Sequence, residues 1–223
     1  MSYLMSILIS AAAAVLAIVL HESAHALAAY VLGDRTARDR GRVSLNPLRH
    51  IDPFGTIMLP LLMILAGGPV FAFAKPVPVY LGNLKHPKRD EVLVSLAGPA
   101  ANIALACIGA LAIRSLGLHF VFAGGAGSRM VAEFLLTFMS VNLSLAFFNL
   151  IPLPPFDGSS VLVPFLRGHA LETYYQVQRY AMPILLIVLY LLPTVLHIDV
   201  IGLYFDVTVT PLYRALVDFA LAL

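Results

Sequence analysis

Apolar residues fill this chain in long blocks separated by short polar stretches. Residues 1–20 carry no charged side chain, and neither do residues 26–33. That block predicts a first transmembrane helix over Ser6–Leu32, long enough to span a bilayer with tilt, stopped by Gly33-Asp34. Residues 34–53 are polar. Within them Val43-Ser44-Leu45 predicts a short strand before Asn46-Pro47, and Asp52-Pro53-Phe54-Gly55 a turn. Thr56–Phe73 is apolar but broken by Gly67-Gly68-Pro69. Residues 74–90 are polar again, and Pro76 and Pro78 disfavour a helix there. Val92–Ile113 predicts a second long helix, 114–128 a Gly-rich loop, and Met130–Leu150 a third. A short apolar run then reaches Leu166, Tyr180–Leu196 predicts a further span, and a weakly amphipathic tail runs from Pro211 to Leu223.

No repeat or low-complexity linker divides the chain, so residues 1–223 read as one domain, with a core over 6–166 and C-terminal helices over 172–223. Composition fits this pattern. The chain is 60% hydrophobic and 12% charged, with a mean hydropathy of +0.90, whereas soluble domains carry about 25% charged residues. The fold class is therefore an all-α polytopic membrane protein of about 4–6 transmembrane segments, with a re-entrant segment and short strands near residues 43–80. Met1–Leu20 lacks a basic leading region and continues into the next motif, so it does not read as a cleavable signal. The single Cys107 excludes an internal disulfide and a cysteine-rich metal site. No basic patch with interleaved aromatics points to nucleic acid.

Charge distribution sets orientation. Cytoplasmic loops are enriched in Lys and Arg, which places both basic loops, 34–53 and 74–90, in the cytoplasm. That requires 54–73 to re-enter rather than cross, and the Gly-Gly-Pro break allows it where protein surrounds the backbone. Eleven basic residues then lie inside and three (Arg114, Arg129 and Arg214) outside. A full crossing remains the alternative.

The chemistry is concentrated where charge is costly. His21-Glu22-Ser23-Ala24-His25 lies inside the first apolar block, and an ionisable group there costs several kcal/mol unless it faces a cavity or a partner. On a helix, His21 and His25 share one face and can bind one Zn²⁺, while Glu22 can hold and deprotonate a water at the metal. A catalytic zinc takes three protein ligands, and the third candidate is Asp157. It sits in an apolar segment next to helix-breaking prolines and Gly158. Its other reading is the N-cap of a helix starting at Gly158. His25 lies ten residues before Arg35 and Asp157 ten before Arg167, which sets the three groups at matching depth, nearer the cytoplasmic face.

Two motifs together resemble a known family. His21–His25 and Asn149-Leu150-Ile151-Pro152-Leu153-Pro154-Pro155-Phe156-Asp157-Gly158 are similar to the paired motifs of the site-2 protease family of intramembrane metalloproteases, with Phe156 where Leu is more usual. Gly98-Pro99-Ala100-Ala101-Asn102 matches the family's Gly-x-x-x-Asn element, and residues 46–52 look like its post-motif loop. The resemblance covers roughly residues 15–165 and is that of a minimal prokaryotic member, with no PDZ or nucleotide-binding regulatory domain. It implies one zinc per chain and a prokaryotic cell membrane location. The implied partners are the lipid bilayer and transmembrane substrates such as anti-sigma factors, transcription-factor precursors or signal-peptide remnants. Asn149 would orient the substrate backbone or stabilise the oxyanion, or else form an interhelical hydrogen bond. Asn102 and Asn142 lean to the structural role, and His50 reads as an interfacial loop residue rather than a ligand. The rivals are a membrane metal transporter using the same three ligands and a non-catalytic membrane adaptor. The transporter would need further ligands along a path through the outer helix halves, which offer almost none.

Overall fold

A computed structural model describes residues 3–65, 73–118, 120, 125–195, 197 and 199–221. The regular structure among them is helical, with no strand. The helices are α1 (Tyr3–Val31), α2 (Thr36–Asp39), α3 (Leu59–Leu65), α4 (Pro87–Leu118), α5 (Ala126–Asn149), α6 (His169–Val195) and α7 (Val200–Leu221). Four of them (α1, α4, α5 and α7) are long and apolar enough to cross a membrane. The first three are the spans expected around Ser6–Leu32, Val92–Ile113 and Met130–Leu150, each extended by a few residues. The protein is an all-α polytopic membrane protein.

Small residues let these helices approach closely, as the packing of membrane helices requires. Ala13, Ala17, Ala26 and Ala29 of α1, Ala106 and Ala110 of α4, and Ala132 and Ala146 of α5 are all buried. Leu8, Val15 and Leu16 of α1, Ile108 and Leu111 of α4 and Leu203 and Val207 of α7 are exposed. An apolar surface of this extent is stable in lipid and not in water.

α7 runs on through Pro211. It joins the core: Val209 packs with Ala106 and Leu143, and Ala220 with Ala110, Ile113 and Met139. Its direction is fixed by two hydrogen bonds. Tyr204 Oη donates to the Phe147 carbonyl at the end of α5, and Arg114 Nη1 donates to the Phe219 carbonyl. α7 therefore runs parallel to α4. The segment expected to span over Tyr180–Leu196 lies in α6.

No strand forms at Val43-Ser44-Leu45. The Ser44 carbonyl instead accepts from Ser23 Oγ and His50 Nε2, at 2.7 Å each, which removes it from any ladder. The polar loops consume their backbone groups in the same side-chain-dominated way. Asp52 caps the turn Pro53–Met58 by accepting from the N–H of Phe54 and Gly55. Asp34 is fully buried and accepts from Thr36, Asn83 and the Tyr80 N–H. Burial opposes its ionisation, but these hydrogen bonds outweigh burial and hold its carboxyl below the usual value.

Those contacts also bear on topology. The Asp34 bonds join loop 34–53 to loop 74–90. Lys75 N–H donates to the His50 carbonyl at 2.9 Å, and the buried Arg42 donates to the carbonyls of Arg49 and Lys75. The two ends of segment 54–73 meet as well, where Phe73 N–H donates to the Gly55 carbonyl at 3.1 Å and Thr56 Oγ1 to the Phe73 carbonyl at 2.8 Å. α3 has seven residues, about 10 Å of helix, far short of a bilayer. The segment enters and leaves at one level, as a re-entrant hairpin does. Its Gly67-Gly68-Pro69 break lies outside the described residues. Cysteines placed at the exposed Arg40 and Lys85, in a Cys107→Ser background, should therefore react with an impermeant maleimide from the same face of sealed vesicles. Labelling from opposite faces would show that 54–73 crosses.

Candidate metal centre

The site forms where α1, α4 and the turn after α5 meet. α1 is continuous through residues 21–25, so His21 and His25 lie one turn apart on one face. Both are buried. α5 ends at Asn149, and the proline-rich segment 150–156 leads into the 3-10 helix Asp157–Phe165. Phe156 holds the cap position without a side-chain cap bond. Asp157 is thus not a helix cap, and its carboxylate turns to the histidines. Asp157 Oδ2 lies 3.3 Å from His21 Nε2 and 3.3 Å from His25 Nε2, and the two Nε2 atoms are 3.0 Å apart. The sequence-predicted triad comes together as one group.

Hydrogen bonds on the far side of each ring settle the tautomers. The Asn102 amide nitrogen donates to the Asn142 Oδ1 at 2.7 Å and the Ala17 carbonyl at 3.2 Å. Its oxygen must then face His21 Nδ1, 2.6 Å away, so His21 Nδ1 carries the proton. His25 Nδ1 lies 2.7 Å from the Val94 carbonyl, which only accepts, so it too is protonated. Both Nε2 lone pairs therefore point at the same place as Asp157 Oδ2, a buried oxygen without a conventional hydrogen-bond partner among the described residues. Three acceptors facing one another at this range repel unless a cation lies among them. Ligands about 2.0–2.1 Å from a tetrahedral centre are separated by about 3.3 Å, the spacing found here. The donor set fits a divalent metal of the zinc type.

Asn102 and Gly98 are parts of the site whose roles the sequence did not reveal. Asn142 Nδ2 donates to Phe138 O and passes its own oxygen to Asn102, so a buried amide chain orients His21. A Cβ on Gly98 would lie 2.4 Å from His25 Nε2 and 2.6 Å from His21 Cε1. Only hydrogen fits there without displacing the ligands. Such outer partners are typically worth ~10–100-fold in metal affinity. Asn102→Ala is therefore expected to weaken metal binding by that order, read by chelator competition on purified protein. Unaltered affinity would leave Asn102 with helix packing alone.

A cavity of about 880 Å³ surrounds the centre, lined by Glu22, His21, His25, Asn149 and Asp157 and closed on one side by α6. Glu22 is placed beside the triad without being one of its three close ligand atoms. Arg42 is near enough to Glu22 to feel its charge. Burial pushes the Arg42 guanidinium below its ordinary range, and the Glu22 carboxylate counters this. Asn149 donates to the Leu145 carbonyl of its own helix at 2.9 Å, and among the described residues it forms no interhelical hydrogen bond, the alternative role read from the sequence. His50 is not a ligand. It is 1% exposed and clasps the Ser44 carbonyl beside Ser23, which pins loop 43–50 onto the metal motif.

Comparison with known proteins identifies the family of the chain. Residues 116–192, which include the Asn149–Gly158 motif, match the model of peptidase family M50. YwhC of Bacillus subtilis, named as a candidate zinc metalloprotease, is 38% identical over 177 residues, 78% of this chain and 76% of YwhC. Rip2 of Mycobacterium tuberculosis, named likewise, is 34% identical over 177 residues, 78% of this chain and 63% of Rip2. The chain thus spans less than two thirds of the mycobacterial relative. MJ0611 of Methanocaldococcus jannaschii, again so named, is 33% identical over 90 residues, 40% of this chain and 42% of that protein. No solved structure matches. With these relatives, the chain belongs to peptidase family M50, the site-2 protease family.

Proposed function

We propose that this protein is an intramembrane zinc endopeptidase that hydrolyses a peptide bond of transmembrane protein substrates at the His21–His25–Asp157 centre. The observation that carries this reading is the convergence of two imidazole lone pairs and one carboxylate oxygen within 3.0–3.3 Å, on membrane helices, inside a cavity that also exposes Glu22. Bound zinc would supply Lewis-acid polarisation of the scissile carbonyl and of the attacking water. Glu22 takes the proton of that water and returns it to the leaving amine. Asn149, at the cavity wall, orients the substrate backbone or donates to the developing oxyanion. Mostly apolar walls from α6 and residues 73–81 line the space around the reacting bond. The peptide must be locally extended to react, because helical amides are shielded by their own hydrogen bonds.

By the positive-inside bias, the joined basic loops face the cytoplasm of a prokaryotic cell, and the catalytic centre lies nearer that side. Anti-sigma factors, transcription-factor precursors and signal-peptide remnants are the substrate classes this implies. The test is cleavage of a membrane-embedded reporter by protein reconstituted in vesicles. Cleavage should stop with a chelator and return with zinc. Chelator-insensitive cleavage, or zinc uptake into the vesicles without cleavage, would overturn the reading, the latter in favour of transport.

A further inference from the structure

Two carboxylates that line the cavity have no part in the chemistry above: Asp199, which accepts from the Gly202 N–H at the start of α7, and Glu91. Glu91 lies in the first turns of α4 and lines the same cavity as the triad. Its Oε2 accepts from Tyr175 Oη of α6 at 2.8 Å. Among the described residues no Lys, Arg or His nitrogen lies within 4.0 Å of it. Among the described residues the cavity wall contains no Lys or Arg, although the loops outside it are rich in both. A carboxylate held at a partly apolar wall without a cation is costly, and a tyrosine hydroxyl repays only part of that cost.

Position along α4 gives the group a definite register. Glu91, Val94, Ser95 and Gly98 recur at helical spacing on one face. Val94 and Gly98 touch the metal ligands, so that face looks onto the centre. Glu91 stands seven residues before Gly98, about 10 Å along the axis, towards the basic loops. An extended peptide advances about 3.3 Å per residue, so this distance corresponds to about three substrate residues.

We infer that Glu91 is a specificity-determining residue, which selects membrane segments carrying a Lys or Arg about three residues from the cleaved bond on the basic-loop side. The inference rests on the proposed proteolysis and names its substrate class. It also fits the chemistry of the substrates, since membrane segments carry their Lys and Arg on the cytoplasmic flank. A cationic flank approaching this protein meets the repulsion of loops 34–53 and 74–90. Glu91 is the attractive group just inside them, and Tyr175 fixes its orientation.

The test uses full-length protein in nanodiscs and two synthetic transmembrane reporters that differ only in Lys or Glu at that flank. Binding is measured to the Glu22→Gln variant, and cleavage by protein with Glu22 intact. The Lys reporter should bind about 10-fold tighter, and Glu91→Lys, made on the Glu22→Gln background, should reverse the order. A purely structural tie between α4 and α6 would weaken both reporters together and leave their ratio alone. A ratio near one, or one that Glu91→Lys does not move, overturns the inference while cleavage of either reporter leaves the proteolysis standing. Charge-selective binding without cleavage by the Glu22 protein would sustain the selectivity and overturn the proteolysis.

Discussion

Cleavage is expected to fall by at least ~10²–10⁴-fold in Glu22→Gln, the usual worth of a positioned proton-transfer group, while metal content stays unchanged. The substitution keeps the shape of the side chain and removes only its capacity to take a proton. Glu22 lies between two ligands in sequence yet contributes no atom to the triad, so the donor set survives its loss. In the proposed mechanism the same carboxylate serves both halves of the reaction, first as base and then as acid, which places the expected loss at the upper end of the range. Turnover of a membrane-embedded reporter, followed by mass spectrometry beside metal analysis of the same preparation, reads both quantities. Near-normal turnover would remove Glu22 from the mechanism. Loss of metal would make it a ligand, which the geometry at His21, His25 and Asp157 does not require.

Hydropathy alone located α1, α4 and α5, because lipid imposes a single-valued rule on long apolar helices. The triad was legible for the related reason that ionisable residues in apolar blocks are few: His21, His25 and Asp157 stand out by contrast. Asn102 and Asn142 stood out in the same way, but their task did not. One amide facing another and one facing an imidazole read identically in sequence, and only the rotation of α4 against α1 and α5 distinguishes them. Gly98 is likewise a packing glycine until the imidazoles beside it are placed.

The segments read least well were those whose backbone is satisfied by side chains. Val43-Ser44-Leu45 alternates plausibly for a strand, yet Ser23 and His50 take the Ser44 carbonyl and no ladder forms. α6 is apolar over residues 180–195 and reads as a span. The direction of α7 is set at long range, since Tyr204 and Arg114 fix it through bonds to Phe147 and Phe219. Such pairings have no local signature.

Asp157→Ala is expected to lose the metal, with an affinity drop larger than the ~10–100-fold of an outer partner, because it removes the only anionic ligand. His21 and His25 would remain oriented by Asn102 and Val94, but two neutral nitrogens do not balance a divalent charge in an apolar cavity. The fold should survive. The carboxylate of Asp157 caps no helix, and the turn it starts is held by Ser159 and Ser160, whose hydroxyls donate to the carbonyls of Phe156 and Asp157. Lys88 anchors its far end through the Leu166 carbonyl. Gly158→Ala provides the contrast: its Cβ would fall 2.2 Å from the Leu150 carbonyl oxygen, so that variant should disrupt the turn itself and lose metal together with structure. Metal content per chain, beside monodispersity in detergent, separates the two. An Asp157→Ala protein that is folded and retains its zinc would show that another group completes the site, and the His–His–Asp centre would have to be abandoned.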